Sequence, residues 1–222
     1  MMAPNHTKRP ILWTIAGSDC SGGAGIQADV KTGHALGMEV CTLMTANTVQ
    51  NSQMLTGINA VPVSVLQQQF DLLLADKPPA AVKIGMIASN EQLHWLIGTL
   101  ETLKKNSTGR VQVVWDPVLK ASVGQPLHLE LFDTKLLQQL LQSVDVVTPN
   151  WPEAMFLSGQ HSGIPESWAQ SLMHKGAPAV LISGGHGEDN DKIITDHCFF
   201  AEQHLALQSP KADTAYGHGS GC

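Results

Sequence analysis

Short apolar runs, each closed by glycine or a small polar cluster, alternate along this chain with stretches of helical spacing. The first run, residues 11–16, stops at Gly17 and reads as a buried strand entering a turn. From about Ala24 the spacing turns helical, with Ile26 and Val30 following. A strand is expected over 39–49, then a helix over 63–75 with Leu66, Phe70, Leu73 and Leu74 on its apolar face. The run 81–84 predicts another strand, ending at Gly85-Met86. Ser89 and Gln92 read as a capping box opening a helix to about residue 104, with Leu93, Leu96, Ile97, Leu100 and Leu103 along one side. Strands over 111–115, 145–148 and 179–182 alternate with helices over 133–143, just after Glu153, and 165–176. Two last alternations, 193–200 and 204–207, predict an antiparallel pair near the sheet edge. Such alternation specifies an α/β domain with a mainly parallel sheet. Residues 1–10 carry no periodicity and are expected to be mobile, leaving a single domain over 11–222.

The strand exits collect glycine and polar residues: Gly17-Ser18-Asp19, Gln50-Asn51, Gly85-Met86, Asp116, Asn150 with Glu153, and Gly184-Gly185-His186. Open parallel sheets bind ligands beyond the carboxyl ends of their strands, so this edge is the expected site. In the first of these stretches Gly17, Gly22, Gly23 and Gly25 fall between a strand and a helix. That arrangement leaves N–H groups unpaired at a helix N-terminus, a place for an anion or polar ligand; a tight turn with no ligand is the plain alternative. Residues 23–28, GAGIQA, match a dinucleotide fingerprint, yet the second strand ends in Asn47-Thr48-Val49-Gln50-Asn51. It lacks the carboxylate a ribose requires there.

Charge narrows the partners. Thirteen basic residues against 19 acidic give a net charge of −6, with no basic cluster beyond Lys104-Lys105, and only 5% of residues are aromatic. Neither a phosphate-backbone footprint nor a base-stacking platform is present, so nucleic acid is excluded as a partner. Cys20, Cys41, Cys198 and Cys222 form no C-x-x-C pair and read as neither a zinc ribbon nor a disulfide framework. The first apolar run is too short for a signal-peptide core or a membrane span. A reduced, cytoplasmic protein is expected.

Asp116, Asn150 and Glu153 are hard oxygen donors of the kind that hold Mg²⁺ through waters and substrate phosphates. Each also has a structural reading: Asp116-Pro117 as a turn, Asn150 and Glu153 as a helix cap, Gly184-Gly185-His186 as a turn after a strand. In Gly219-Ser220-Gly221-Cys222, glycines flanking a hydroxyl residue let successive N–H groups face one anion. A cysteine opening a following helix is activated by the helix dipole. Metal, N–H cradle and base are the parts that phosphoryl transfer needs. No G-x-x-x-x-G-K-[ST] is present, so this is not a P-loop enzyme.

Six stretches, in order, resemble the hydroxymethylpyrimidine/phosphomethylpyrimidine kinases of thiamine biosynthesis, members of the ribokinase-like kinases. They are 17–32 (GSDCSGGAGIQADVKT), 83–86 (KIGM), Asp116-Pro117-Val118, 148–154 (TPNWPEA), 184–186 (GGH) and 218–222 (HGSGC). The resemblance implies a three-layer α/β/α fold and an enzyme that uses ATP and Mg²⁺ to phosphorylate the hydroxymethyl group of an aminopyrimidine and then its monophosphate. It implies a pyrimidine pocket of Gly17, Ala24, Asp29 and Gln50 with Met86 and Val118 as apolar walls. Asp116, Asn150 and Glu153 would serve metal and nucleotide phosphates, with Ser183, Gly184 and Gly185 beside the nucleotide. Gly219, Ser220 and Gly221 would form the anion hole and Cys222 would stand at the position of the catalytic base. A homodimer is also implied. Three departures are visible: Ser183 stands where the family commonly has lysine, Cys20 replaces a proline, and the sequence stops at Cys222, where relatives continue into further C-terminal helices. Two alternatives follow, a non-catalytic pyrimidine-binding relative and a pyridoxal kinase on the same scaffold.

Overall fold

The structure is a computed structural model that describes residues 9–107, 109–120, 125–184 and 192–211. Most of the segment expected to be mobile therefore lies outside the described residues. In chain order the elements are β1 (Ile11–Asp19), α1 (Gly25–Ala35), β2 (Glu39–Gln50), β3 (Leu55–Ala60), α2 (Val63–Asp76), β4 (Ala81–Ile84) and α3 (Asn90–Asn106). Then come β5 (Gln112–Trp115), α4 (Thr134–Ser143), β6 (Val146–Val147), α5 (Trp151–Ser158), α6 (Pro165–His174), β7 (Ala179–Ile182), β8 (Ile193–Phe200) and β9 (Gln203–Pro210).

The strands form one sheet in the order β3-β2-β1-β4-β5-β6-β7-β8-β9. From β2 through β7 every neighbouring pair is parallel, while β3, β8 and β9 join antiparallel at the two ends. Sequence order reverses at β1, whose neighbours are β2 on one side and β4 on the other. Right-handed crossovers then place α1 on one face and α3 to α6 on the opposite face. The reversal opens a crevice above the carboxyl ends of β1 and β4, the place where doubly wound sheets bind ligands.

Burial follows the helical spacing. Leu93, Leu96, Leu100 and Leu103 of α3 are buried in one apolar cluster with Val82, Ile84, Val113, Val147 and Val180 of the strands. Each such side chain contributes about 1.5–3 kcal/mol relative to exposure. A smaller cluster of Ala46, Leu55, Met86, Ala88 and Leu127, joined by Ile58 and Val118, packs behind the crevice.

Four expectations change. β1 does not end at Gly17: pairing to β2 resumes at Ser18 and Asp19 after a register shift, so in place of the expected turn β1 runs on, with Gly17 opposite a bulge at Thr45-Ala46 of β2. A Cβ on Gly17 would lie 2.6 Å from Met86 Sδ, which favours glycine at this position. β3 went unread because LTGINA has no apolar run; it forms because Asn51 Oδ1 accepts from Gln53 and Met54 N–H, both at 2.9 Å, turning the chain back on β2. β6 shrinks to two residues, since the Asp145 carboxylate replaces a ladder bond by accepting from Val113 N–H at 2.7 Å. The capping box at Ser89 is half made. Ser89 Oγ accepts from Gln92 N–H, but the Gln92 side chain turns inward, accepting from Ala88 N–H at 3.0 Å and donating to Thr45 and Val61 carbonyls at 2.7 and 2.9 Å.

Candidate active site

The crevice at the β1/β4 reversal is a cavity of about 230 Å³. Its lining includes Gly17, Ala24, Asp29, Gln50, Met86 and Val118, together with Asp116, Asn150 and Glu153. Every described residue expected at the pyrimidine and metal positions therefore lies on one cavity. Ser183 and Gly184 sit beside it at the exit of β7 and do not line it: Ser183 pairs with Asn150, and Gly184 N–H donates to Asp196 Oδ1 at 2.8 Å. Gly185, Gly219, Ser220, Gly221 and Cys222 lie outside the described residues.

At one end stands the glycine-rich loop. Its anion is the chain's own. The buried Asp19 carboxylate accepts from Ser21 N–H (2.9 Å) and Oγ (2.7 Å) on one oxygen, and from Gly23 and Ala24 N–H (3.0 and 2.9 Å) on the other. The open N–H cradle expected at this helix N-terminus is thus filled from within, and the loop is stiff. Gly25 has φ +57°, and a Cβ there would meet the Gly17 carbonyl at 2.3 Å, so the close return of the loop onto β1 requires glycine. The wall beyond it is apolar, with Met86 and Val118 backed by the smaller cluster, and Thr45 Oγ1 donates to the Met86 carbonyl at 2.6 Å. Gln50, at the end of β2, supplies an amide at the rim.

A line of charge crosses the floor. Thr14 Oγ1 donates to Asp29 Oδ2 at 2.5 Å, Asp29 Oδ1 lies 3.2 Å from Lys83 Nζ, and the same ammonium lies 3.4 Å from Asp116 Oδ2. Both oxygens of Asp29 are thereby engaged, and its first effect is to orient Lys83. Burial pushes the Asp116 carboxyl above its usual range; Lys83 opposes the rise and Asp29 adds to it.

The far end is acidic. Asn150 caps α5 by accepting from Glu153 N–H at 3.0 Å, and Glu153 Oε2 accepts from Asn150 N–H at 3.0 Å. The helix-cap reading of these two residues is correct, and they line the cavity as well. Burial pushes the Glu153 carboxyl up to about 7; N–H donors from Asn150 and Leu119 oppose this, and the Asp116 charge adds to it. Two carboxyls that disfavour each other's charge, with an amide oxygen beside them, are a donor set suited to a hard divalent cation.

Asp19 stands on the expected edge and Lys83 in one of the family stretches, yet the sequence reading gives neither a role, and both carried a signal. Lys83 is the one charge in the otherwise apolar β4, one residue before its carboxyl end. Asp19 precedes Ser21, Gly23 and Ala24 at the offsets from which a carboxylate reaches back to loop N–H groups.

A crevice at the reversal of a doubly wound sheet, walled by strand-exit glycines and ending in carboxylates, defines a ribokinase-like small-molecule kinase. Solved structures agree. Phosphomethylpyrimidine kinase from Clostridium difficile 630 superimposes with a TM-score of 0.78 at 30% identity, over 90% of this chain and 85% of that one. The pyridoxal kinase from Staphylococcus aureus, in complex with AMP-PCP and pyridoxal, gives 0.81 at 30% identity, over 96% and 76%. The chain belongs to the phosphomethylpyrimidine kinase family, whose model matches residues 19–222. The hydroxymethylpyrimidine/phosphomethylpyrimidine kinase of Rhizobium meliloti (strain 1021) is 35% identical over 216 residues, covering 96% of this chain and 78% of that protein. The protein is a phosphotransferase.

Proposed function

We propose that this chain transfers the γ-phosphoryl group of ATP to the hydroxymethyl oxygen of 4-amino-5-hydroxymethyl-2-methylpyrimidine, then to its monophosphate, in cytoplasmic thiamine diphosphate biosynthesis. The observation that carries the reading is the cavity's change of character along its length. An amide and two apolar walls, Gln50, Met86 and Val118, suit a neutral heteroaromatic ring, and the Asp116–Glu153 end suits a metal–phosphate group. The family relatives bear on the choice of ring, since their names carry the hydroxymethylpyrimidine.

In this reading Gln50 hydrogen-bonds the ring, and the stiff Asp19-filled loop excludes water from one side. Asp29 holds Lys83 where its ammonium faces the phosphoryl group in flight. Asp116, Asn150 and Glu153 would hold Mg²⁺ through waters, Glu153 keeping its two backbone donors. Bound Mg²⁺ supplies charge neutralisation to the nucleotide phosphates. The hydroxyl proton leaves to a base as ADP departs; the resemblance assigns that base to Cys222, the phosphate cradle to Gly219, Ser220 and Gly221, and the nucleotide contacts to Ser183, Gly184 and Gly185. A homodimer belongs to the same reading, and sedimentation velocity tests it.

The test is calorimetry on Gln50→Ala. A polar ring atom left without its partner in the cavity costs about 1–3 kcal/mol, so pyrimidine affinity should fall roughly tenfold or more while affinity for a non-hydrolysable ATP analogue stays unchanged. Unchanged pyrimidine affinity rejects the pocket assignment. Pyridoxal turned over with a higher kcat/KM than the pyrimidine makes the protein a pyridoxal kinase instead.

A further inference from the structure

The edge hairpin carries a cluster that the cleft does not use. His204 of β9 stands directly opposite Phe199 of β8, and His197 lies two residues before Phe199, so all three share one face of the sheet. The His204 and Phe199 rings stack at 4.4 Å with a 4° interplanar angle, which fixes the plane of the imidazole. His197 Nδ1 lies 2.9 Å from His204 Nε2. α6 packs on β7 and β8 and carries Glu166 in its first turn. One ligand atom each from Glu166, His197 and His204 lie within 4.8 Å of one another.

Two imidazole nitrogens at that separation do not both present bare lone pairs to each other; one proton has to sit between them. A divalent ion satisfies both lone pairs at once. Nitrogens bound about 2.0–2.1 Å from a tetrahedral ion lie roughly 3.3 Å apart, so the two rings need only part by about 0.4 Å. The carboxylate of Glu166 supplies a third ligand and a negative charge, leaving the fourth position to water. The adjacent Cys198 points to the opposite face of β8 and is not part of the set.

From this geometry we infer that Glu166, His197 and His204 form a binding site for a borderline divalent transition-metal ion, with zinc as its representative. Two imidazoles select Zn²⁺, Co²⁺ or Ni²⁺ over Mg²⁺, which takes oxygen ligands, so this site is chemically distinct from the cleft carboxylates. The ion ties the first turn of α6 to β8 and β9. Its binding free energy therefore adds to the stability of the hairpin edge.

The experiment uses the tag-free full chain, stripped with chelator and titrated with Co²⁺ in the absence of nucleotide. One equivalent should produce the visible ligand-field bands of a tetrahedral ion; Zn²⁺ should displace it and raise the Tm, and Mg²⁺ should do neither. His204 is exposed, so His204→Gln leaves the fold intact, and it should weaken Co²⁺ binding at least about tenfold. Glu166→Gln should do likewise, and His94→Gln, on the exposed side of α3, should change nothing. A stoichiometric band that persists unchanged in His204→Gln overturns the assignment. So does a thiolate-to-cobalt charge-transfer band, which places the metal on cysteine.

Discussion

Replacing Asp19 tests whether the glycine-rich loop is held by its own carboxylate. Asparagine keeps one acceptor oxygen. It can turn that oxygen toward Gly23 and Ala24 N–H, which are fixed in the backbone, and present its amide to Ser21, whose hydroxyl rotates to accept and whose exposed N–H finds water. The loss is then the charge on the acceptor, about 1–2 kcal/mol. Alanine leaves the Gly23 and Ala24 donors without an acceptor in a half-buried loop. Each such donor costs about 1–3 kcal/mol, so Asp19→Ala should cost about 2–6 kcal/mol. Urea unfolding measures both: the midpoint falls in the order wild type, Asp19→Asn, Asp19→Ala, with the slope m unchanged. The KM for pyrimidine should rise in the same order, because the loop lines the cavity. Equal midpoints for the two variants, or an alanine cost below about 1 kcal/mol, would show that the loop is held by something else.

Lys83→Met removes the cation between Asp29 and Asp116, and should lower kcat/KM at least tenfold with the far-UV spectrum unchanged; a value within twofold of wild type removes Lys83 from the site. Gly17→Ala places a methyl 2.6 Å from Met86 Sδ. The thioether can swing away at small cost to folding but then occupies the cavity, so KM rises and Gly17→Ala/Met86→Ala restores it; additive losses in the double variant would refute the contact. Glu153 carries a folded-state pKa of about 7 against 4.5 in the unfolded chain, so between those values the folded state binds the extra proton and stability falls as pH rises. That loss, on the order of 2–3 kcal/mol between pH 4.5 and 7, should be absent in Glu153→Gln, read as a stability difference between the two proteins that changes with pH. A pH-independent difference contradicts it.

What the sequence disclosed follows from where period and chemistry coincide. The α3 leucines and the β4, β7 and β8 bounds were legible because burial on one face repeats with the period of the element. The site edge was legible because Gly17, Gln50, Asp116 and Asn150 each interrupt an apolar run at its carboxyl end. β3 was not, since an edge strand of six residues needs only a turn and a partner, and Leu55–Ala60 has no apolar period of its own. Nor was the filling of the N–H cradle, because spacing marks donors without saying which acceptor arrives. Gln92 misled for a related reason: its offset from Ser89 fits a cap, and tertiary partners outbid the local one.

That inward turn of Gln92 also bears on how the chain acquires its structure. Its amide reaches Thr45 at a separation of 47 residues and Val61 at 31, and its oxygen holds Ala88, two residues after the cavity-lining Met86. Neither bond to a carbonyl exists until β2, the end of β3 and the start of α3 have met, and a Gln92 amide buried before then is an unpaired donor in an apolar cluster. Loop closure over such separations comes late, after local helices and hairpins have formed. The wall of the cleft is therefore completed only when these segments dock, and Gln92 finds its carbonyl partners in the same step.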